Sequence, residues 1–159
     1  EKITRLWIFR LMYGYGPGEK NRRLIPRCAE ATINSDTVKI FGGGKSYLNP
    51  LPSTFIANIL LQAALDLKQK DNGFFEITNI NHPSQVRTID VVDFLSGLGN
   101  FQYEVYEGNE DWPVLFWGST ENISNYMRKW NIEFPNVYQA LEEYFLTLIE
   151  RRCSKLKKS

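Results

Sequence analysis

The chain has 159 residues, enough for one ordinary domain, and its 43% hydrophobic and 14% aromatic content predicts a packed core rather than a disordered chain. With 19 basic and 18 acidic residues the net charge is +1, so we expect neither nucleic acid nor an anionic membrane as a partner. No apolar run approaches the roughly 20 residues of a membrane span. Two isolated cysteines and one histidine predict no metal site, and the lone thiols favour a reducing, cytoplasmic location.

The first third of the chain alternates between apolar runs and glycine- or proline-rich breaks. Residues 3–9 predict a strand buried on both faces, as in a covered parallel sheet. A helix is predicted over 26–34, because a proline suits the first helical turn. Residues 38–41 predict a short strand that ends in a glycine turn at 42–44. The prolines in 50–54 predict irregular backbone.

The remaining elements follow from the spacing of apolar residues and from capping residues. We predict a helix over 55–70, whose apolar side chains recur at helical spacing. Thr88 is expected to cap a second helix, Ser119 a third and Asn136, in a capping box with Gln139, the last. The other predicted elements are a strand at 74–78, a loop at 79–87, a half-buried strand at 101–106 with residues 101, 103 and 105 inward, and a loop at 108–113. One mixed α/β domain over residues 1–159 accounts for this pattern.

The glycine-rich turns do not match a dinucleotide- or phosphate-binding loop. Residues 14–18 have the wrong glycine spacing and contain a proline, and no helix is predicted directly after residues 42–44. Gly44-Lys45-Ser46 matches the end of a P-loop, but Lys39 stands where the first glycine of that loop is required.

No other catalytic group stands out. His82 could act as a general base, but without an obvious partner we favour a structural or solvent-facing role. Cys28 falls in an apolar helix and is expected in the core. Glu107, Glu110 and Asp111 are expected to form a solvated surface rather than a metal site. We therefore assign no catalytic residue.

Several motifs occur in an order that is typical of one family. Arg10 with Tyr15-Gly16-Pro17-Gly18, placed after a strand, resembles a landmark of the extended short-chain dehydrogenase/reductases, the nucleotide-sugar epimerase/dehydratase superfamily. Leu24-Ile25-Pro26 and residues 39–44 are similar to that family's next motifs. In the family this landmark lies past the middle, after the cofactor domain. The resemblance implies the carboxyl-terminal half only, an α/β fold of the last Rossmann strand plus the small substrate domain. The start at Glu1, without methionine, likewise predicts a fragment or processed product.

This resemblance also implies a function. The chain would be the substrate-binding part of an NAD(P)-dependent epimerase, dehydratase or reductase that acts on a sugar nucleotide or related polar substrate, and it would be inactive alone. The family's catalytic tyrosine, with a lysine four residues later, has no counterpart here. NAD or NADP is thus expected in the parent enzyme and no cofactor in this chain alone. Phe41 could stack on a nucleobase. The expected pocket residues are Arg10, Tyr13, Arg23, Leu24, Pro26, Phe41, Gly42 and Asn58.

Two departures from the family pattern leave an alternative open. Tyr13 replaces an asparagine that contacts the substrate phosphate in many members, and Leu48-Asn49-Pro50 lacks the arginine that pairs with the diphosphate. Either the substrate differs or the pocket is degenerate, and the alternative function is a non-catalytic interaction module. Trp7 and Phe9 would then lie on an exposed apolar edge that binds the missing Rossmann half or a second copy.

Overall fold

The computed structural model describes residues 4–108, 115 and 118–156, and these form the expected mixed α/β arrangement. The strands are β1 (Arg5–Leu11), β2 (Tyr13–Tyr15), β3 (Thr37–Ile40), β4 (Tyr47–Leu48), β5 (Pro50–Pro52), β6 (Phe74–Ile80), β7 (Val86–Arg87) and β8 (Gln102–Val105). The helices are α1 (Leu24–Asn34), α2 (Ser53–Leu67), α3 (Thr88–Gly99), α4 (Glu121–Trp130) and α5 (Val137–Leu156), with a 3-10 turn at Gly42–Gly44.

The strands pair over long separations in sequence. β1 runs parallel to β6, from Arg5 opposite Phe74 to Leu11 opposite Ile80. β2 and β5, like β3 and β8, are also parallel pairs, whereas β4 and β7 are antiparallel. Parallel strands need a crossover connection, and α1, α2 and α3 provide the helical parts of the connections within these pairs.

Two apolar cores hold the elements together. The larger core lies between α1, α3, α5 and β3; its fully buried side chains include Cys28, Val92, Leu95, Leu141 and Phe145. The smaller core joins Ile59 of α2 and Ile80 of β6 to Ile123 and Met127 of α4. Burial of each such side chain contributes roughly 1.5–3 kcal/mol to folding.

The expectation that the first strand is buried on both faces is wrong. Leu6 and Ile8 of β1 are exposed, as are their partners Phe75 and Ile77 of β6. Alternate residues of a strand point to opposite faces. One face of this pair therefore carries all four apolar side chains to the surface, and we call these four residues the open sheet face.

The opposite face of β1 is covered by aromatic rings, so the expectation that Trp7 and Phe9 form an exposed edge is also wrong. Trp7 is buried and Phe9 half-buried. The Trp7 ring centre lies 4.5 Å from that of Tyr126 and 6.1 Å from that of Trp130, both on α4. Its indole nitrogen donates to Thr78 Oγ1 at 2.9 Å. Helix α4 thus supplies the cover that the sequence pattern could not locate.

Helix ends differ from the predictions by up to three residues, since the helix predicted over 55–70 is α2, Ser53–Leu67. Thr88 is the first residue of α3 rather than its cap, and its hydroxyl donates to the Ser46 carbonyl oxygen at 3.0 Å. Helix α4 begins at Glu121, and Ser119 Oγ accepts from the Glu121 amide at 3.4 Å. The Asn136 cap is confirmed, since its Oδ1 accepts from the Gln139 amide at 3.1 Å.

Some backbone predicted to be irregular pairs in strands. Residues 50–52 align with β2, and α2 begins at Ser53, directly after them. Phe101, which directly precedes β8, is buried as expected, but Val105 at the end of β8 is exposed. The predicted loop at 108–113 lies outside the described residues apart from Gly108. Position 44 requires glycine, because a Cβ there would lie 2.8 Å from Ile89 Cβ.

Candidate substrate-binding site

Two of the expected pocket residues, Tyr13 and Arg23, are brought into contact by the turn between β2 and α1. The Arg23 guanidinium carbon lies 4.5 Å from the centre of the Tyr13 ring, a cation–π distance. Both side chains also meet Glu19. Arg23 Nε lies 3.1 Å from Glu19 Oε1, and the Tyr13 hydroxyl donates to the same oxygen at 3.5 Å. The sequence analysis missed Glu19, although four residues from Arg23 is the spacing of a helical ion pair.

Glu19 carries a nearly enclosed carboxylate, since its side chain is 2% exposed. Its Oε2 has no hydrogen-bond partner among the described residues. The neighbouring Tyr144 hydroxyl donates to the Gly16 carbonyl oxygen at 2.8 Å, and it also interacts with the Glu19 carboxylate, whose pKa it lowers. Burial raises the pKa of Glu19 above its ordinary value, and the Arg23 charge opposes that rise.

Tyr15 brings a second unpaired polar atom to the same place. It is buried, and its hydroxyl has no partner within the part of the chain that the structure describes. Its ring centre lies 5.4 Å from that of Tyr144. Burial raises the pKa of Tyr15 and brings that of Tyr144 to about 12, so both hydroxyls are protonated near neutral pH. The Tyr15 hydroxyl can therefore donate a hydrogen bond.

These groups border a cavity of about 320 Å³, which we call the Glu19 pocket. Its wall is the backbone of residues 14–19 together with the side chains of Leu11, Arg23, Ser53 and Ile56. Glycine is required at Gly16, because a Cβ there would collide with Ser53 Oγ. A second cavity of about 360 Å³, towards α5, also borders on Tyr15, Gly16 and Ser53. Apolar and polar groups thus converge in one concave site, as in small-molecule pockets.

Phe41 forms a separate aromatic surface. Its side chain is 64% exposed, and its ring stacks on Tyr106 with 5.4 Å between ring centres and 28° between planes. Lys39 Nζ lies 5.9 Å from the centre of the Tyr106 ring. Gly42, which follows Phe41, is buried and has a positive φ of 65°. The exposed face of Phe41 can stack on a planar ring.

The other expected pocket residues lie on three elements. Arg10 is exposed on β1 opposite Asn79, and Asn58 is exposed on α2. Leu24 packs against the larger core, and Pro26 is buried in the first turns of α1. Their roles in binding remain predictions.

His82 and Asn49 hold a loop together. His82 is buried, its Nδ1 accepts from the Ser84 amide at 2.9 Å, and its Nε2 lies 3.0 Å from the Pro135 carbonyl oxygen. These partners select the tautomer with the proton on Nε2. Asn49 bonds both the backbone amide and the carbonyl of His82, at 2.7 and 2.8 Å. Both ring nitrogens are engaged, which agrees with the structural role favoured for His82.

The remaining candidates for chemistry that the structure describes form no reactive centre. Cys28 is buried as expected, and burial raises the pKa of its thiol to about 12, so it is a thiol rather than a thiolate at neutral pH. Glu107 is exposed and pairs with Lys45, whereas Glu110 and Asp111 lie outside the described residues. Within residues 4–108, 115 and 118–156 no cluster of three metal-ligating side chains occurs. No helix in those ranges is long and apolar enough to cross a membrane.

The fold, rather than the sequence, relates this chain to known proteins. No protein-family model matches the sequence, and no curated protein matches it. Solved structures do match, and they include NAD-dependent sugar nucleotide dehydratases and epimerases of the extended short-chain dehydrogenase/reductases. The fold resemblance expected from the sequence is therefore confirmed.

Three of these structures illustrate the match. A dTDP-glucose 4,6-dehydratase from Bacillus anthracis, in complex with NAD, has a TM-score of 0.72 and 18% identity over 91% of this chain and 44% of its own. A UDP-glucuronic acid 4-epimerase from Bacillus cereus, bound to UDP-glucuronic acid and NAD, gives 0.70 and 18% over 91% and 45%. A dTDP-glucose 4,6-dehydratase from Streptomyces venezuelae gives 0.74 and 14% over 92% and 44%. The chain thus spans less than half the length of these enzymes.

Proposed function

We propose that this chain is the substrate-binding part of an NAD(P)-dependent epimerase, dehydratase or reductase acting on a sugar nucleotide or related polar substrate, and that it is inactive alone. The observation that carries the proposal is the fold match, which takes in 91% of this chain but only 44–45% of enzymes whose complexes contain NAD and, in one case, UDP-glucuronic acid. The Glu19 pocket and the exposed ring of Phe41 support it as two separate binding surfaces.

The cofactor belongs, on this proposal, to a dinucleotide-binding half outside the chain. A pyrophosphate site needs glycine backbone that a ligand can approach at the start of a helix. The turn at Gly42–Gly44 does not fit, because Gly44 packs against Ile89 and no helix follows it directly. The turn at residues 16–18 does not fit either, since α1 begins only at Leu24. We therefore assign no catalytic step to this chain. Its two free cysteines are the reason why we expect it to act in a reducing cytoplasm.

The open sheet face is the surface that such a half would cover. Parallel sheets are almost always buried on both faces. Here Leu6, Ile8, Phe75 and Ile77 stand on one face of the parallel pair β1–β6 with no described side chain layer above them. A domain that adds a parallel strand and a covering helix at this point would bury all four.

The same face supports the alternative, a non-catalytic interaction module. The alternative is also favoured by the contacts of Arg23, which pairs with Glu19 and stacks on Tyr13. Because Glu19 already neutralises the Arg23 charge, that charge is not free for a substrate phosphate. An interaction module would bind apolar dyes, and the size of its oligomers would increase with protein concentration. Ile8→Lys would abolish both effects. A monodisperse monomer that binds sugar nucleotides would count against this alternative.

Thermal-shift and calorimetric titrations against UDP-, dTDP- and GDP-sugars, with NAD and NADP in parallel, test the main proposal. We expect stabilisation by at least one sugar nucleotide and none by either dinucleotide. Stabilisation by NAD would mean that the substrate-binding assignment is wrong. No stabilisation by any of the compounds would favour the interaction module.

A matched pair of variants tests the role of Phe41 in this binding. Phe41 and Phe75 are almost equally exposed, at 64% and 61%, but Phe75 lies on the open sheet face. Phe41→Ala should weaken nucleotide binding by roughly tenfold or more, as expected for a lost base–aromatic stack. Phe75→Ala should leave it unchanged. Equal effects of the two variants on nucleotide affinity would mean that Phe41 is not part of the binding site.

A further inference from the structure

We infer that a groove along the second half of α5 is a docking site for an extended acidic peptide segment of a partner protein. Two adjoining cavities form this groove, which we call the α5 groove. The larger cavity, of about 540 Å³, lies between α1 and the end of α5. The smaller, of about 230 Å³, lies between α5 and the turn at residues 17–21. Asn21, Arg152 and Lys155 line both.

The α5 groove is separate from the candidate substrate-binding site. It shares only the turn at residues 17–19 with the Glu19 pocket. The inference therefore goes beyond the proposed function and does not depend on it.

One face of α5 forms the long wall of the groove. Its lining residues begin at Tyr144 and continue to Leu156, which is roughly 18 Å along a helix. They form two rows with four-residue spacing, and residues four apart lie on the same side of a helix. One row is Thr147, Arg151 and Lys155, and the other is Leu148, Arg152 and Leu156.

The rim of the groove carries unpaired positive charge. Arg151 and Lys155 are exposed and form no ion pair within residues 4–108, 115 and 118–156. Lys20 and Arg22 flank Asn21 on the facing turn, and they too are exposed without an ion pair in those ranges. Four free cations thus stand beside one concave surface, which favours a ligand with several negative charges.

Arg152 holds the groove in shape rather than supplying a free charge. Its side chain is 20% exposed, and its Nη1 lies 2.9 Å from Glu30 Oε1 on α1. Its Nη2 donates to Asn21 Oδ1 at 2.8 Å. Because these contacts connect α5 to α1 and to the turn, the groove is formed before any ligand arrives, which lowers the entropic cost of binding.

The spacing of the free cations fits an extended peptide. Residues four apart on a helix, such as Arg151 and Lys155, have Cβ atoms about 6 Å apart. Side chains on one side of an extended chain are two residues apart, or about 6.8 Å. Carboxylates at alternate positions of a peptide can therefore pair with both cations, while apolar side chains between them can contact Ile33 on the α1 wall. A groove of this length holds about five extended residues.

Two other polyanions fit the groove less well. A helix that lies on a membrane must offer it an apolar face. The apolar side of α5 is already used in the larger core, where Leu141 and Phe145 are fully buried. The chain's net charge of +1 gives little long-range attraction for nucleic acid. An acidic peptide matches both the charge and the concave shape of the groove.

The test is a titration of the isotope-labelled full chain with a capped, fluorescent hexapeptide that alternates glutamate with leucine. A hexapeptide with lysine in place of glutamate is the control. We expect saturable binding of the acidic peptide only, weakened severalfold as salt rises from roughly 50 to 200 mM. NMR shifts are expected at the amides of Asn21, Ile33 and Thr147. No binding, equal binding of both peptides, or shifts confined to other elements would overturn the inference.

Charge-reversal variants locate the binding. Arg151→Glu combined with Lys155→Glu should weaken binding of the acidic peptide at least tenfold, because two attractions become repulsions. Lys68→Glu combined with Arg128→Glu changes the net charge equally at exposed positions that line neither cavity. This control should weaken binding no more than about twofold, since distant charges are screened. Equal losses in the two double variants would overturn the inference.

Further measurements on the same samples distinguish other occupants. Stronger competition for the groove by phosphatidylglycerol vesicles or by a single-stranded oligonucleotide would overturn the peptide assignment. Sedimentation without peptide tests for a second copy, and a dimer that the α5 double variant breaks would also overturn it. Titrations with sugar nucleotides should be the same in the wild type and in that variant, so failure of the docking site and failure of the proposed function are seen separately.

Discussion

The two parallel strand pairs β3–β8 and β1–β6 differ in the chemistry of their outward faces, since the exposed residues Thr37 and Lys39 of β3 are polar whereas the exposed residues Leu6 and Ile8 of β1 are apolar. Around β3 the helices α1, α3 and α5 enclose a core in which Leu95, Leu141 and Phe145 are completely buried. Around β1 the cover is one-sided, so Trp7 is buried whereas Ile8, its neighbour in sequence, is exposed. Apolar composition sets how much surface can be buried, and the layers that pack against a strand decide whether it is buried.

The largest expected effect contrasts one phenylalanine from each region. Phe145→Ala should lower the free energy of unfolding by about 3–5 kcal/mol, because it leaves a cavity in the enclosed core. Phe75→Ala on the open sheet face should change it by no more than about 0.5 kcal/mol. Chemical denaturation of both variants measures the difference. A large loss in Phe75→Ala would mean that the chain buries the open sheet face by itself.

A second contrast compares the two faces of β6. Thr78→Val leaves the buried Trp7 indole N–H without its acceptor and should cost about 1–3 kcal/mol. Ile77→Thr, one residue earlier on the open sheet face, should be nearly neutral. The same denaturation experiment checks both, and equal costs would contradict the assignment of the two faces.

A smaller effect is expected from two tyrosines beside the Glu19 pocket. Tyr144→Phe removes a hydroxyl that donates to the Gly16 carbonyl oxygen and should cost about 1 kcal/mol. Tyr15→Phe removes a buried hydroxyl that has no partner among the described residues, and it should cost nothing or be slightly stabilising. Thermal denaturation of the ligand-free variants decides, and a clear loss in Tyr15→Phe would reveal a partner for that hydroxyl.

The smallest expected effect is a pair of opposite pH slopes. The pKa of Glu19 is raised in the folded state, so the folded state binds that proton more tightly than the unfolded state does. The contribution of Glu19 to the free energy of unfolding is therefore fully present below pH 4.5, the ordinary pKa of the group, and is lost as the pH rises through the folded-state pKa. Asp90, paired with Arg87, has a lowered pKa, so its contribution is present above 3.8 and is lost as the pH falls.

Stability measured against pH in single variants separates these two slopes. Glu19→Gln should flatten the slope above 4.5, whereas Asp90→Asn should flatten a weaker one below 3.8, because the exposed Arg87–Asp90 pair is screened by solvent. A slope above 4.5 that survives in Glu19→Gln would assign the titration to another group.

The sequence predicted the long helices well, and its failures share a physical cause. The apolar periodicity at 55–70 and the Asn136 cap are local signals, and the helices α2 and α5 lie close to where those signals place them. The strands β4, β5 and β7 have two or three residues each, and they exist only because distant backbone pairs with them. One-sided burial of β1 likewise depends on α4, more than a hundred residues away, which no local pattern reports.

The candidate site was predictable only in part. Tyr13 and Arg23 came from the family resemblance, and the structure brings them into contact. Glu19 was missed because a glutamate in a loop is usually a solvated charge, whereas here Tyr144 of α5, far along the chain, lies beside it. The four-residue spacing from Arg23 was the available signal. The unpaired state of the Tyr15 hydroxyl has no signature in the sequence at all.

The aromatic cover of β1 also gives the molecule an optical reporter. Trp7, Tyr126 and Trp130 are held with their ring centres 4.5–6.1 Å apart, at fixed angles beneath the sheet. Aromatic rings in a rigid asymmetric setting produce near-ultraviolet circular dichroism, which disappears when tertiary packing loosens. The band from this cluster therefore follows the tightness of the β1–β6 layer, while the far-ultraviolet signal follows the helices of the whole chain. Comparing the two wavelengths during heating would show whether the half-covered layer melts before the enclosed one.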